Sequence, residues 1–280
     1  MKILRSVADL RQWSREARRE GKTVGFVPTM GALHAGHASL IRAARESCGA
    51  VCVSIFVNPT QFGPNEDYAR YPRTFEADCA LAEAEGATAI FAPTVEELYP
   101  AGAATFVEVA GLSDRLDGLS RLGHFRGVAT VVAKLLIASE ADKAFFGQKD
   151  AAQVAVLRRM VADLLLPAEL VVCPIVREVD GLALSSRNMY LSPEERSQAL
   201  VLNRAVRRVE ALAAAGERRA EELIEAARQI FAVEPSVRMD YIELVDWATL
   251  VPVEVAAPGS LFAVAAWVGA TRLIDNTILR

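Results

Sequence analysis

From residue 23 to about residue 176, short runs of apolar, β-branched residues alternate with longer stretches whose apolar positions recur at helical spacing. A parallel sheet covered by helices on both faces produces that alternation, because its strands are buried on two sides. Strands are expected at residues 23–27, 51–57, 87–91, 143–146 and 169–173. Helices are expected near 36–48, 74–85, 126–139 and 150–164, with one more, 6–20, ahead of the first strand. The fold class is therefore α/β, a Rossmann-like, doubly wound parallel sheet.

Beyond Val176 the pattern changes. Ser192-Pro193-Glu194-Glu195 reads as an N-cap, a proline in the first helical turn and a capping-box glutamate, so a long helix starts there. A second helix near 219–231 and three short strands near 239–244, 261–268 and 272–278 complete a smaller α+β unit. The division expected is a Rossmann-like domain over residues 1–176 and a C-terminal α+β domain over 177–280 that closes over the site.

A chain of 280 residues can bury a sizeable core without a partner. It holds no run of eighteen uncharged apolar residues, and residues 1–10 lack the pattern of a signal peptide. No membrane partner and a cytoplasmic location are therefore expected. The formal net charge is −4, with no long basic stretch, so nucleic acid is not an expected partner. Cys48, Cys52, Cys79 and Cys173 form no CxxC pair and read as reduced core thiols.

Candidate chemistry concentrates where strands turn into helices. Pro28-Thr29-Met30-Gly31-Ala32-Leu33-His34-Ala35-Gly36-His37 leaves the first strand and enters the first crossover helix, the end of an open sheet at which ligands bind. Unpaired N–H groups at a helix start stabilise an anion such as phosphate. Gly31 and Gly36 let the backbone approach it, and Pro28 stiffens the exit from the strand. His34 and His37, three apart, project to one side of a helical turn, where phosphate is expected to favour their protonated form. Asn58 and Gln61, in Phe56-Val57-Asn58-Pro59-Thr60-Gln61-Phe62, offer amides suited to a small hydroxy acid, although Asn-Pro also suits a plain turn. Lys149 in Gly147-Gln148-Lys149-Asp150 can reach a phosphate, and Gln153 lies one helical turn beyond it. Leu184-Ser185-Ser186-Arg187, past the boundary, can clamp a triphosphate from the opposite side. Gly123-His124-Phe125-Arg126-Gly127 either shapes the pocket or starts a helix, and the polar stretch 63–73 reads as an exposed loop, with a lid or subunit contact as alternatives.

The HxGH turn resembles that of the nucleotidyltransferase superfamily, which includes the class I aminoacyl-tRNA synthetases. The wider run PTMGALHAGH resembles the pantothenate synthetase family in particular. That resemblance implies ligation of (R)-pantoate to β-alanine through a pantoyl-adenylate, with release of pyrophosphate and AMP. It implies an ATP site built from Met30, Gly31, Ala32, Leu33, His34, Ala35, Gly36, His37, Gly147, Gln148, Lys149, Asp150, Val176, Leu184, Ser185, Ser186 and Arg187. His37, His34, Lys149 and Arg187 would then stabilise phosphate charge in catalysis. Gln61 and Gln153, with Asn58, Pro28 and Phe62, would hold pantoate or β-alanine. Gln148 departs from the family's usual glutamate. Mg²⁺ is expected to arrive with ATP on ligands the sequence does not name, a tightly bound organic cofactor is not expected, and a homodimer is. Two other readings stay open at this level: an adenylyltransferase that keeps the nucleotide in its product, and a non-catalytic nucleotide-binding scaffold.

Overall fold

The computed structural model of the chain describes residues 1–64 and 66–280. Six strands form a parallel sheet: β1 (Lys2–Leu4), β2 (Val24–Thr29), β3 (Ala50–Ile55), β4 (Ala89–Phe91), β5 (Lys143–Gly147) and β6 (Glu169–Cys173). Their order is β1-β4-β3-β2-β5-β6, and every pairing is parallel. The helices that accompany them are α1 (Val7–Arg19), α2 (Ala35–Ser47), α3 (Phe75–Ala84), the short α4 (Val95–Leu98) and α5 (Asp117–Ser120), α6 (His124–Ser139) and α7 (Ala151–Asp163).

Alternate residues of the central strands feed two cores. Phe26, Phe91 and Phe146 pack with Leu10 of α1, Leu135 of α6 and Leu157 of α7. On the other face, Val27, Val53, Ile90 and Phe145 pack with Ile41 of α2 and Ala82 of α3. The sheet is therefore buried on both sides, which is why its strands read as continuous apolar runs.

Beyond β6, Ser192 caps α8 (Pro193–Ala214) through the expected capping box with Glu195, and α9 (Ala220–Ala232) follows. An antiparallel sheet, β7 (Val237–Asp246), β8 (Ser260–Val268) and β9 (Thr271–Ile278), completes the chain. Leu244, Phe262 and Val264 of this sheet meet Leu202 of α8 and Leu223 of α9. Its other face leans on the larger unit, where Trp247 Nε1 donates to the Ala151 carbonyl at 3.0 Å. The expected elements recur with ends shifted by no more than two residues; β1, a three-residue edge strand, and the short α4 and α5 are additional.

The strand order reverses direction between β2 and β5. Loops leaving neighbouring strands there run to opposite sides of the sheet and open a crevice at its carboxyl edge. The carboxyl ends of β3, β2 and β5 lie side by side at this crevice, so the three motifs that follow them meet in space.

Candidate active site

Two adjoining cavities of about 220 Å³ and about 610 Å³ occupy the crevice. Both are lined by Lys149, Asp150, Gln153, Ser185 and Arg187, so they form one cleft. Pro28, Met30, His34, His37, Asn58, Gln61 and Phe62 line the smaller part, with Leu184 and Ser186 facing them from the segment beyond β6.

The turn after β2 is held from below by Asp78 of α3. This carboxylate, 1% exposed, accepts from the amides of Ala32 at 3.0 Å and Leu33 at 2.8 Å and from Thr74 Oγ1 at 3.0 Å. Gly31 sits at φ +84°, and a Cβ there would lie 3.0 Å from Asp78 Oδ2, so both conformation and space favour glycine. Asp78→Asn would set an NH₂ group against one backbone N–H, that of Ala32 or that of Leu33. The expected result is a loss of roughly 1–3 kcal/mol of stability, read as a lower urea midpoint.

His34 is the N-cap of α2: its Nδ1 accepts from the Gly36 amide at 3.1 Å, while His37 Nδ1 accepts from the His34 amide at 3.3 Å. Both Nδ1 atoms therefore carry lone pairs, and a neutral ring places its proton on Nε2. The ring centroids are 4.1 Å apart. Burial, reinforced by nearby Lys149, lowers the pKa of His34 to about 4. Burial, reinforced by His34, lowers that of His37 to about 3. In the free protein both are therefore neutral Nε2–H donors; the expectation that phosphate favours the protonated form concerns the complex with a bound anion. His34 thus caps α2 and lines the cleft at once.

His124 at the start of α6 is also pushed down to about 4, first by burial and then by Arg121. A histidine whose folded pKa is depressed stabilises the fold fully above its unfolded pKa near 6.5, and that contribution is lost as pH falls through the window down to about 4. The urea midpoint is therefore expected to fall steadily between pH 6.5 and 5, with each histidine contributing up to ~1.4 kcal/mol per pH unit. A midpoint constant across that range would contradict neutral native histidines.

Asn58 is 1% exposed and its amide is fully used. Nδ2 donates to Gln61 Oε1 and to the Gly127 carbonyl, both at 3.1 Å, and Oδ1 accepts from Tyr99 at 2.9 Å and Thr60 Oγ1 at 3.0 Å. It orients Gln61 rather than offering free polar atoms to a ligand. Gln61 Nε2 in turn points to Met30 Sδ at 2.8 Å, which ties the segment after β3 to the turn after β2. Phe62 packs against Tyr68 and Tyr71 with centroids 5.4 and 5.9 Å away.

Lys149 and Gln153 face the cleft together, with Lys149 Nζ 3.4 Å from Asp150. Among the described residues, the Gln153 amide has no hydrogen-bond partner, so it is free to meet a ligand. Gln148 turns away: its Nε2 donates to Asn276 Oδ1 at 3.2 Å, and Asn276 Nδ2 donates back to the carbonyls of Gln148 and Lys149. It ties the turn after β5 to β9, a bond that a glutamate could not donate. Gly31, Ala32, Leu33, Ala35, Gly36, Gly147 and Val176 do not line the cleft either; they frame it, as where the Val176 carbonyl accepts from the Leu184 amide at 3.0 Å.

The stretch expected to be an exposed loop is a strap across the cleft, with Asn65 outside the described residues. A 3₁₀ turn, Asp67–Arg70, leads to the buried Tyr71, whose hydroxyl lies 3.4 Å from Ser186 Oγ. Glu66 takes Arg121 Nε and Nη2 at 2.7 Å each, and Arg121 Nη1 donates to His124 Nε2 at 2.9 Å. His124 Nδ1 then donates to the Gln61 carbonyl at 2.8 Å. No local pattern marks Asp78, Glu66 or Arg121. Their partners lie 45 to 60 positions away in most cases, and only the GHFRG segment hinted at the last of these contacts.

The family model for pantoate-beta-alanine ligase matches residues 2–278. The chain belongs to the pantoate–β-alanine ligase family. A pantothenate synthetase of Acidobacterium capsulatum is 61% identical, over 100% of this chain and 97% of that protein. The crystal structure of pantothenate synthetase from Thermus thermophilus superimposes with a TM-score of 0.94 at 46% identity, covering 100% of this chain and 99% of that one. A pantoate-beta-alanine ligase from Francisella tularensis, solved with beta-gamma ATP and beta-alanine, gives a TM-score of 0.81 at 32% identity, covering 99% and 97%. Membership in the ligase family agrees with the α/β architecture and with a cleft rich in hydrogen-bond donors.

Proposed function

We propose that the cleft binds ATP and (R)-pantoate side by side and makes pantothenate in two steps. A pantoate carboxylate oxygen attacks the α-phosphorus, and the bond from that phosphorus to the bridging oxygen of pyrophosphate breaks. The amine of β-alanine then attacks the acyl carbon, a C–N bond forms, the proton passes to solvent and AMP leaves with the carboxylate oxygen. The observation that carries this reading is the meeting of the His34–His37 pair, the Gln61–Gln153 pair and Lys149 in one cavity, faced by Arg187 from beyond β6.

The residues divide by chemistry. Nε2–H of His34 and His37, the Lys149 ammonium and the Arg187 guanidinium face charge that grows on departing pyrophosphate, so they act most strongly in the transition state. Gln61 and Gln153, with Pro28, Met30 and Phe62 as walls, hold pantoate. Orientation of the two substrates makes the first step nearly unimolecular. ATP enters as its Mg²⁺ complex, with the ion held largely by phosphate oxygens and water. The described residues contain no group of three or more metal-ligating side chains, and Asp150 is the carboxylate beside Lys149.

The domain boundary near residue 177, closure of the smaller unit over ATP, a homodimer and a cytoplasmic location belong to the same proposal. Light scattering on the purified protein tests the dimer. No helix of the described residues is long and apolar enough to cross a membrane.

The reaction is tested by incubation with ATP, Mg²⁺, β-alanine and pantoate labelled with ¹⁸O in its carboxylate, with mass detection of all products. Pantothenate, pyrophosphate and AMP carrying one ¹⁸O are expected. Pantothenate formed with unlabelled AMP would rule out the acyl-adenylate.

A further inference from the structure

The guanidinium of Arg187 is gripped along one edge. Asp67 Oδ2 accepts from Nε at 3.2 Å and Oδ1 from Nη2 at 3.0 Å, across 120 positions of sequence. The Asp67 side chain is 14% exposed. Among the described residues Nη1 has no partner, and Arg187 lines both parts of the cleft. A side-on, two-bond grip of this kind fixes the plane of the guanidinium and leaves its remaining donors free.

Asp67 is itself anchored. Its neighbour Glu66 is held by Arg121 through two bonds of 2.7 Å on the opposite wall, and Tyr71 of the same strap meets Ser186, next to Arg187. The carboxylate is thus a fixed point between the two sides of the cleft.

We propose that Asp67 is a positioning residue for nucleotide binding and adenylate formation: it holds Arg187 so that the free Nη1 edge meets the phosphate chain of ATP. The proposal rests on the assignment of Arg187 to the triphosphate. A flexible arginine would have to be ordered when ATP arrives, whereas one already held loses less freedom for each bond it forms. The opposite role is also chemically definite. A carboxylate that merely competed with phosphate for Arg187 would weaken ATP binding, and its removal would lower KM for ATP.

The test is pantoate-dependent exchange of pyrophosphate into ATP by Asp67→Asn, Asp67→Ser, Asp67→Glu, Arg187→Ala and the Asp67→Asn/Arg187→Ala double variant, each checked by thermal melting. Asp67→Asn and Asp67→Ser are expected to raise KM for ATP and to lower kcat/KM for ATP by about 10- to 100-fold, with KM for pantoate little changed. Asp67→Glu should recover part of the loss, and Asp67→Asn should add nothing in the Arg187→Ala background. A severe Arg187→Ala defect beside unchanged or tighter ATP use by the Asp67 variants would overturn the positioning role alone, as would a full Asp67→Asn loss that persists without Arg187. Near-normal exchange by Arg187→Ala would overturn the assignment of Arg187 and the proposal with it.

Discussion

Replacing His37 with alanine is expected to lower pantoate-dependent pyrophosphate exchange by roughly 10²- to 10³-fold, the loss typical of one preorganised donor at developing charge. His37 is the third residue of α2, its Nδ1 is occupied by the His34 amide, and burial keeps the ring neutral. The proton that can reach a phosphate is therefore the one on Nε2, fixed in direction before ATP arrives. Alanine removes that donor and also the bond to the His34 amide. The second effect is a capping loss of roughly 0.5–2 kcal/mol in stability, which denaturation measures separately from rate. A His37→Asn protein keeps an acceptor for the His34 amide but shortens the donor, so it should be nearly as stable as the parent while remaining slow. Near-normal exchange by His37→Ala would remove His37 from the mechanism.

Gly127→Ala carries the second large effect, although residue 127 touches no proposed substrate. A Cβ at Gly127 would lie 2.3 Å from the Thr60 carbonyl oxygen and 2.7 Å from Gln61 Cα. Both are backbone atoms, so no side chain can rotate to make room. Helix α6 and the turn Pro59–Gln61 must separate, and the bond from Asn58 Nδ2 to the Gly127 carbonyl is strained with them. Gln61, held by Asn58 and His124, moves with the turn. Overpacking of this kind costs roughly 1–3 kcal/mol of stability, and a shift of about 1 Å in a positioning group costs about 10²-fold in rate. Steady-state kinetics with pantoate varied at saturating ATP should show a higher KM and a lower kcat. A folded variant with unchanged pantoate kinetics would show that Gln61 does not hold the acid.

The two changes mark how far the residues alone reveal the site. Strands such as β3 and β5 were legible because burial on both faces leaves an uninterrupted apolar run, and α8 because its capping box is a local pattern. The HxGH, NPxQ, QKD and SSR segments were legible because each follows a strand, at once or after a short connection, and carries unusual polar residues. What stayed hidden is contact made across the fold. Asp78 reads as one more acid in a helix until it is seen beneath the turn of Ala32 and Leu33. Polar residues 63–73 look like loop, yet Glu66 and Asp67 are paired to arginines 55 and 120 positions away. The resemblance puts Gln148 in the ATP site, and the bond its amide makes to Asn276 of β9 is announced by no motif. Long-range pairs of this kind have no period in the sequence, because the topology that creates them is set by the strands and not by the residues that meet.

The histidines show the same division in their chemistry. Spacing alone placed His34 and His37 on one side of a turn, but their charge depends on burial, which spacing does not encode. In the free protein two neutral donors thus stand in the cleft that Lys149 and Arg187 also line.

The most direct test is a crystal structure of the protein with pantoate and a non-hydrolysable ATP analogue. The phosphate chain is expected within hydrogen-bond reach of His34 Nε2, His37 Nε2 and Lys149 Nζ, with the pantoate carboxylate between Gln61 and Gln153 and in line with the α-phosphorus. Phosphates lodged in the larger part of the cleft, out of reach of both imidazoles, or pantoate bound away from the two glutamines, would contradict the account.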